Sequence, residues 1–159
     1  MDEEQELRSE AVGKADNPKL IEHIKTMDLQ NTIWLEKLIE QPGLPGMTEV
    51  GDDGTQALFL VIQHSADLEF QKRCLALMEV LVRQDEFAAV HLAYLTDRIL
   101  AMEVKPQIYG MQGRSQGDGA IVPYLIENEE QVDERRKALG LESIEEYFKA
   151  MNEMYKTKK

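Results

Sequence analysis

Six polar side chains between residues 64 and 112 carry the groups that acid–base chemistry and ligand binding need. They are an imidazole, a carboxyl, a guanidinium, a phenol and two carboxamides, supplied by His64, Asp97, Arg98, Tyr109, Gln107 and Gln112. His64 titrates near neutral pH, which makes it the natural general base or acid of the set. Asp97 could orient the imidazole. We therefore predict His64 and Asp97 as catalytic residues of a hydrolysis or a group transfer.

The other side chains have the chemistry of ligand-binding groups. The Arg98 guanidinium is a planar fork that can hold a carboxylate or a phosphate. Tyrosine and glutamine side chains donate to and accept from polar ligands. The predicted ligand-binding residues are Arg98, Gln107, Tyr109, Gln112 and Gln63. Asn31 and Gln71 are predicted to support these residues from behind.

The same residues also fit a buried polar network that holds no ligand. In that alternative His64 bonds Gln107 or a backbone carbonyl, while Asp97 caps a loop. Arg98 then pairs with an acid. Buried polar groups are usually satisfied in this way. A concave, solvent-reached pocket containing His64 would favour the ligand site, and a sealed imidazole would favour the network.

Hydrophobic periodicity predicts that helices position these side chains. Residues 57–62 are apolar on every side, which is typical of a buried helix, and His64 continues the stripe of Ala57 and Val61. Trp34 is predicted as a core aromatic. The further helices are predicted at 3–14, from Pro18, at 28–41, at 68–83, at 86–102, at 128–139 and from Ser143. The predicted cap residues are Asn17 before Pro18, Asp28 for the helix at 28–41 and Asp67 for the helix at 68–83. Glu146 completes a capping box with Ser143.

A change of period after residue 103 predicts a short β-hairpin between the fifth and sixth helices. Residues 104–112 and 120–126 are the predicted extended runs, and the glycine-rich residues 113–119 are the loop between them. Gly51–Gly54 is predicted as another loop. We expect a mainly α, single-domain helical bundle built around the buried central helix over residues 1–159. Residues 1–16 would form a peripheral acidic helix or arm, and residues 156–159 a frayed basic tail.

Composition restricts the partners of the chain. It has 159 residues and a net charge of −12, from 30 acidic and 18 basic residues, so binding to nucleic acid is not expected. The lone cysteine, Cys74, excludes an internal disulfide and is expected to be a small buried hydrophobe. The sequence shows neither a signal peptide nor a run long enough to span a membrane, and we expect a cytoplasmic protein.

The histidines do not have the spacing of metal ligands. His23, His64 and His91 lie on different predicted helices and form no ligand-spaced pair, so no metal site is predicted. A nucleotide-binding glycine fingerprint and a nucleophile elbow are absent, and the sequence identifies no cofactor. The basic end of the sixth helix, Arg135 to Lys137, is predicted to complement the helix dipole.

An ordered set of short motifs resembles a bacterial domain-of-unknown-function family, DUF6624. The motifs span residues 28–147 and are Asp28-x-x-Asn31, Gly43-Leu44-Pro45, Gln63-His64, Gln71, Asp97-Arg98, Gln107-x-Tyr109-Gly110-x-Gln112, Pro123, Val132-Asp133-x-Arg135-Arg136 and Gly140-Leu141. Leu44, Met111 and Asn128 depart from the residues common in that family, which are Trp, Thr and an acid. The resemblance implies a shared fold and a shared polar site, and it implies no activity.

Two functions from different classes follow. The first is a pocket centred on His64 that binds a small polar or anionic ligand and can act on it. The alternative is a non-catalytic acidic protein, of the inhibitor or immunity type, that binds a basic partner by electrostatic steering. Its binding face would be the exposed acidic residues Glu127, Glu129, Glu130, Asp133 and Glu134.

Overall fold

The computed structural model describes residues 17–40, 43–117 and 119–156 and shows a mainly α fold with a short β-hairpin, as predicted. The predicted helix at 3–14 and the tail from residue 157 lie outside the described residues. The elements are α1 (Pro18–Ile39), α2 (Met47–His64), α3 (Leu68–Arg83), α4 (Ala89–Met102), β1 (Gly113–Ser115), β2 (Ile121–Pro123), a 3-10 turn (Glu129–Gln131), α5 (Val132–Ala138) and α6 (Ile144–Lys156).

The chain forms two compact units that divide within α3. The first unit ends at Leu77 and the second begins at Met78. The expectation of a single domain over residues 1–159 stays a prediction. No helix in the described part of the chain is both long and apolar enough to cross a membrane.

The first helix of the first unit is longer than predicted. The Asn17 carboxamide oxygen accepts from the backbone N–H of Leu20 at 3.2 Å, which confirms the predicted cap. The prediction of a separate helix at 28–41 is wrong, because α1 runs without a break through Asp28. A potential cap residue does not end a helix when no proline or glycine accompanies it. Trp34 is also not a core residue, since 56% of its surface is exposed.

The central helix α2 is buried along one face only. Gly51 has φ 73° and ψ 176°, so the predicted loop at Gly51–Gly54 is instead a kink inside a helix that begins at Met47. The buried face consists of Thr55, Leu58, Phe59 and Ile62. The predicted buried stripe is wrong, since Ala57, Val61 and His64 are only half-buried. An all-apolar stretch has no polar face, so its pattern cannot show which side is covered.

Asp67 begins α3 as predicted. Its carboxylate accepts from the backbone N–H of Phe70 at 2.9 Å. The Ser65 hydroxyl in turn accepts from the N–H of Asp67 at 3.1 Å. Cys74 is fully buried on this helix, also as predicted, and burial raises the pKa of its thiol to about 12. The Cys74 thiol is therefore neutral and unreactive near pH 7.

The hairpin of the second unit begins later than predicted. Strands β1 and β2 are antiparallel, with Gly113 opposite Pro123 and Ser115 opposite Ile121. The first strand thus lies in the stretch predicted as a loop, and residues 104–112 contain only an isolated bridge from Gln107 to Ile126. A Cβ on Gly113 would lie 2.7 Å from the Ile121 side chain, so a residue larger than glycine would not fit there without a shift.

The last helix fixes the hairpin from one side. The Ser143 hydroxyl and backbone N–H donate to Glu146 at 2.8 and 3.1 Å, which confirms the predicted capping box at the start of α6. Asn152 on α6 accepts from the N–H of Ile121 at 2.7 Å and donates to its carbonyl at 2.8 Å. The β2 strand is therefore held by an α6 side chain as well as by β1.

Candidate functional site

Asp97 is fully buried at the centre of a clamp in the second unit. Its carboxylate accepts from the backbone N–H groups of Ile108 (2.7 Å), Tyr109 (3.1 Å to each oxygen) and Met111 (2.8 Å). Burial raises the pKa of Asp97, while these N–H donors and the charge of Arg136 act in the opposite direction. Both oxygens are thus occupied by backbone, which is the loop-capping role of the alternative interpretation. Catalysis by Asp97 stays a prediction.

Arg136 closes the clamp from α5 and is fully buried. Its guanidinium donates to the carbonyls of Glu142 at 2.7 Å and Tyr109 at 2.8 Å, and to the Met111 sulfur at 3.4 Å. It also lies over the Tyr147 ring, 4.9 Å from the centroid. Asp97 of α4 therefore binds N–H groups of the loop of residues 108–111, and Arg136 of α5 binds the carbonyl of Tyr109 in the same loop.

Sequence reasoning missed this role of Arg136 by assigning it to the helix dipole. The available signal was its spacing of four residues from Val132, which places the two side chains on one face of α5, and both are buried. The adjacent Arg135 also contacts the loop, donating to the Ile108 carbonyl at 2.7 Å.

Gln107 fixes the next residue of the site, Gln112. The Gln107 carboxamide accepts from the N–H of Gln112 at 2.6 Å and donates to its carbonyl at 3.0 Å. The same carbonyl accepts from the N–H of Tyr124 at 3.1 Å. The backbone of Gln112 is consequently held from both sides, and its side chain is left for other contacts.

A cavity of about 510 Å³ in the second unit is lined by both Arg98 and Gln112, together with Met102, Val104, Tyr124 and Leu125. The Nε of Arg98 and the Nε2 of Gln112 are buried, and neither has a hydrogen-bond partner among the residues that the structure describes. The acid that the alternative interpretation assigned to Arg98 is not found in those residues either. The two side chains that carry these unpartnered N–H donors thus line one cavity.

Tyr109 and Gln107 contribute to this site through its loop. Neither is among the described residues that line the cavity. The Tyr109 backbone joins the Asp97 clamp to Arg136, and burial, with the nearby charge of Asp97, raises the pKa of its phenol. Of the predicted ligand-binding residues, the structure places Arg98 and Gln112 on the cavity and gives Gln107 and Tyr109 positions that shape it.

A family comparison agrees with the motifs that build this site. The model described as "Family of unknown function (DUF6624)" matches residues 2–159. The chain belongs to this family. No curated protein and no solved structure matches the chain. In this member of DUF6624, the Asp97-Arg98 and Gln107-to-Gln112 motifs therefore form the clamp and part of the cavity lining.

His64 lies in the first unit, on a different cavity. The half-buried imidazole lines a cavity of about 590 Å³ together with Lys25, Asp28, Glu36 and Asp67. The imidazole is thus not sealed. The Glu36 carboxylate is already paired with Arg73, and the remaining two carboxyl groups and one ammonium suit a polar or cationic ligand better than an anion. The prediction that His64 shares one pocket with residues of the second unit stays a prediction.

The last three predicted residues also belong to the first unit. Gln63 lies at the C-terminal end of α2, Gln71 contacts that end from α3, and Asn31 lies on α1. Gln71 is fully buried, and its Nε2 lies within hydrogen-bond distance of the carbonyls of Ile62 (3.2 Å), Gln63 (3.2 Å) and Ser65 (3.0 Å). It therefore fixes the end of the helix that carries His64. The Gln63 Nε2 is 3.4 Å from the His64 Nε2, and Asn31 is half-buried on α1.

Metal binding finds no support in residues 17–40, 43–117 and 119–156. No group of three or more His, Cys, Asp or Glu side chains in those ranges is placed to hold a metal ion.

Proposed function

We propose that the second unit binds a small ligand through an anionic group, held by the Arg98 guanidinium and the Gln112 carboxamide. The observation that carries the proposal is that Arg98 and Gln112 line one cavity and that each has a buried N–H donor without an acceptor among the described residues. A buried polar group without a partner costs about 1–3 kcal/mol, so such groups in a native protein require an explanation. A ligand oxyanion supplies the missing acceptors, and arginine binds it with two N–H groups at once.

Binding is better supported than catalysis. Asp97 uses both carboxylate oxygens on backbone N–H groups, which leaves it as a support for the loop beside the cavity. The acid–base role of His64 remains part of the proposal only as a second site, on the cavity of the first unit. We propose a cytoplasmic location, which the free, buried Cys74 thiol suits.

Ligand-induced stabilisation tests the binding proposal. The midpoint of thermal unfolding is measured with acetate, butyrate, benzoate and inorganic phosphate, because a ligand that binds only the folded state raises it. We expect a carboxylate-dependent rise in the wild type, at least a tenfold weaker affinity in Arg98→Gln, and a smaller loss in Gln112→Leu. Arg114→Gln is the matched control, since it removes the same charge from an exposed position on β1. Equal shifts in Arg98→Gln and in the wild type would refute the proposal.

The acidic-partner function remains a second candidate because of one observation. Glu127, Glu129, Glu130, Asp133 and Glu134 are all exposed, and among the described side-chain hydrogen bonds only Asp133 is used, by the N–H of Ile144 at 2.8 Å. Replacing the five by their amides would abolish association with a basic partner and leave the carboxylate-induced shift unchanged. Loss of the carboxylate shift in that variant would argue against two separate sites.

A further inference from the structure

Resting on the proposed function, we infer that the ligand is a monocarboxylate with an extended apolar tail, and that Val104 is a specificity-determining contact for that tail. The inference uses three properties of the Arg98–Gln112 cavity: its charge, its apolar rim and the backbone of Val104.

The charge of the cavity matches a single negative charge. Its lining contains two cations, Arg98 and Lys105. The Lys105 ammonium is already paired with Glu103 at 2.7 Å, whereas Arg98 has no such partner among the described residues. One uncompensated positive charge suits a carboxylate better than a phosphate dianion. The net charge of −12 on the chain opposes a dianion further.

The exposed residues of the described cavity lining are Lys105 and four residues with apolar side-chain surface. Val104 and Leu125 are 93% and 73% exposed, and Met102 and Tyr124 are nearly half exposed. Together these four residues give a hydrophobic rim to the cavity that Arg98 and Gln112 also line. A ligand with an anionic head and an apolar tail satisfies both parts, and it removes apolar surface from water in proportion to the tail length.

Val104 occupies a backbone position that glycine normally takes. It has φ 58°, directly after the α4 cap residue Glu103. Its N–H donates to Ala101, and the N–H of Lys105 donates to Leu100, which is the hydrogen-bond pattern of a helix end with a left-handed residue. A β-branched residue is strained there.

The end of α5 shows the unstrained version of the same turn. Gly140 has φ 69°, its N–H donates to Lys137, and the N–H of Leu141 donates to Arg136. Val104 gains no compensating packing within the described chain, because its side chain is almost completely exposed. Strained residues of this kind cluster at functional sites. Here the strained backbone conformation places the Val104 side chain on the rim of the cavity.

A chain-length series tests the inference. Affinities are measured by titration calorimetry for straight-chain carboxylates from acetate to decanoate, below their micelle concentrations, with octyl phosphate as the dianionic probe. We expect affinity to rise about two- to fourfold per methylene over the middle of the series. Val104→Gly should bind decanoate at least threefold more weakly than the wild type, bind acetate equally, and unfold at the same or a higher temperature.

Asp85→Gly is the matched control for backbone strain. Asp85 has φ 60° in the turn that follows α3, which has the same hydrogen-bond pattern as the turn at Val104. Asp85 is not among the lining residues of the cavity. This variant should relieve strain without changing any carboxylate affinity. A weaker affinity in Asp85→Gly would mean that the effect of Val104→Gly does not come from the rim.

The outcomes separate the inference from the function on which it rests. Binding that depends on Arg98 but not on tail length or on Val104 overturns the inference and leaves the proposed function standing. Tighter binding of octyl phosphate than of octanoate overturns the monocarboxylate assignment. Carboxylate binding that is absent, or equal in Arg98→Gln and the wild type, overturns both.

Discussion

Asp97 and Arg98 are neighbours on α4, yet they belong to two regions of opposite character. Asp97 is fully buried in the clamp, and both of its carboxylate oxygens accept backbone N–H groups. Arg98 lies on the cavity with a buried Nε that has no partner among the described residues. Consecutive residues on a helix point in different directions, so one motif can serve both a structural network and a binding surface.

The difference gives a physical criterion for assigning roles within this motif. A polar group whose hydrogen bonds are complete within the chain stabilises the fold and has nothing left for a ligand. A buried donor without an acceptor makes the fold less stable and needs a reason: for the Arg136 Nη2 of the clamp the reason is the set of bonds that the rest of the guanidinium makes, whereas Arg98 makes no such bonds among the described residues and a binding partner is the natural reason. Measured stabilities of matched variants can therefore confirm or break the distinction between clamp and cavity.

The largest effect is expected from Asp97→Ala. The substitution leaves the backbone N–H groups of Ile108, Tyr109 and Met111 without their acceptor and removes a negative charge that interacts with Arg136, so we expect a loss of about 3–5 kcal/mol in the free energy of unfolding. Urea-induced unfolding followed by circular dichroism measures it. A loss below about 1 kcal/mol would mean that Asp97 does not stabilise the fold through the clamp.

Arg136→Met should have the next largest effect. It keeps much of the side-chain volume but leaves the carbonyls of Tyr109 and Glu142 unpaired, and we expect a loss of about 2–4 kcal/mol. Lys137→Met is the control, because Lys137 is exposed on the same helix and should change stability by less than about 0.5 kcal/mol. Equal stabilities of the two variants would mean that buried Arg136 does not close the clamp.

Arg98→Gln should have the opposite pattern to these clamp variants. Because the guanidinium makes no described hydrogen bond or ion pair, we expect its loss to leave the free energy of unfolding within about 0.5 kcal/mol of the wild type, or to raise it by about 1 kcal/mol. The same denaturation experiment without ligand measures this. Destabilisation as large as that of Asp97→Ala would remove the contrast between the two neighbours.

The parts of the fold that follow local rules were predictable from the sequence. The Asn17 and Asp67 caps and the Ser143–Glu146 capping box depend only on residues within one turn, and each is present. The hairpin was predicted, but its first strand was misplaced, because Asp97 on the preceding helix binds the N–H groups of Ile108, Tyr109 and Met111. A local β pattern contains no information about such a competitor.

The site was predictable only as a set of residue types. Sequence reasoning selected Arg98 and Gln112 as ligand-binding residues because of their chemistry, and the structure places both on one cavity. It could not separate Asp97 from Arg98, because their different surroundings come from the loop and α5, not from α4 itself. For the same reason it left buried Arg136 as an ordinary helix-end cation.

The smallest effect, and the one with a pH signature, is expected at Glu146. Its capping box starts α6, whose Tyr147 hydroxyl donates to the Met111 carbonyl of the clamp at 3.1 Å. The Ser143 hydroxyl and N–H hold the pKa of Glu146 below its usual value of 4.5. A carboxyl whose pKa is lower in the folded state contributes stability above the unfolded pKa, and the contribution disappears as pH falls through the folded pKa.

Glu146→Ala should therefore lower the unfolding midpoint slightly at pH 7, and the gap to the wild type should shrink in acid below the folded pKa. Glu145→Ala is the control, because Glu145 is an exposed acid in the same first turn of α6 and is not part of the capping box. A gap that stays constant across this pH range would show that the cap acts through packing alone. A gap that closes would show that the criterion inferred from buried Asp97 also holds for the exposed Glu146. In both cases a polar group whose hydrogen bonds are complete stabilises the fold.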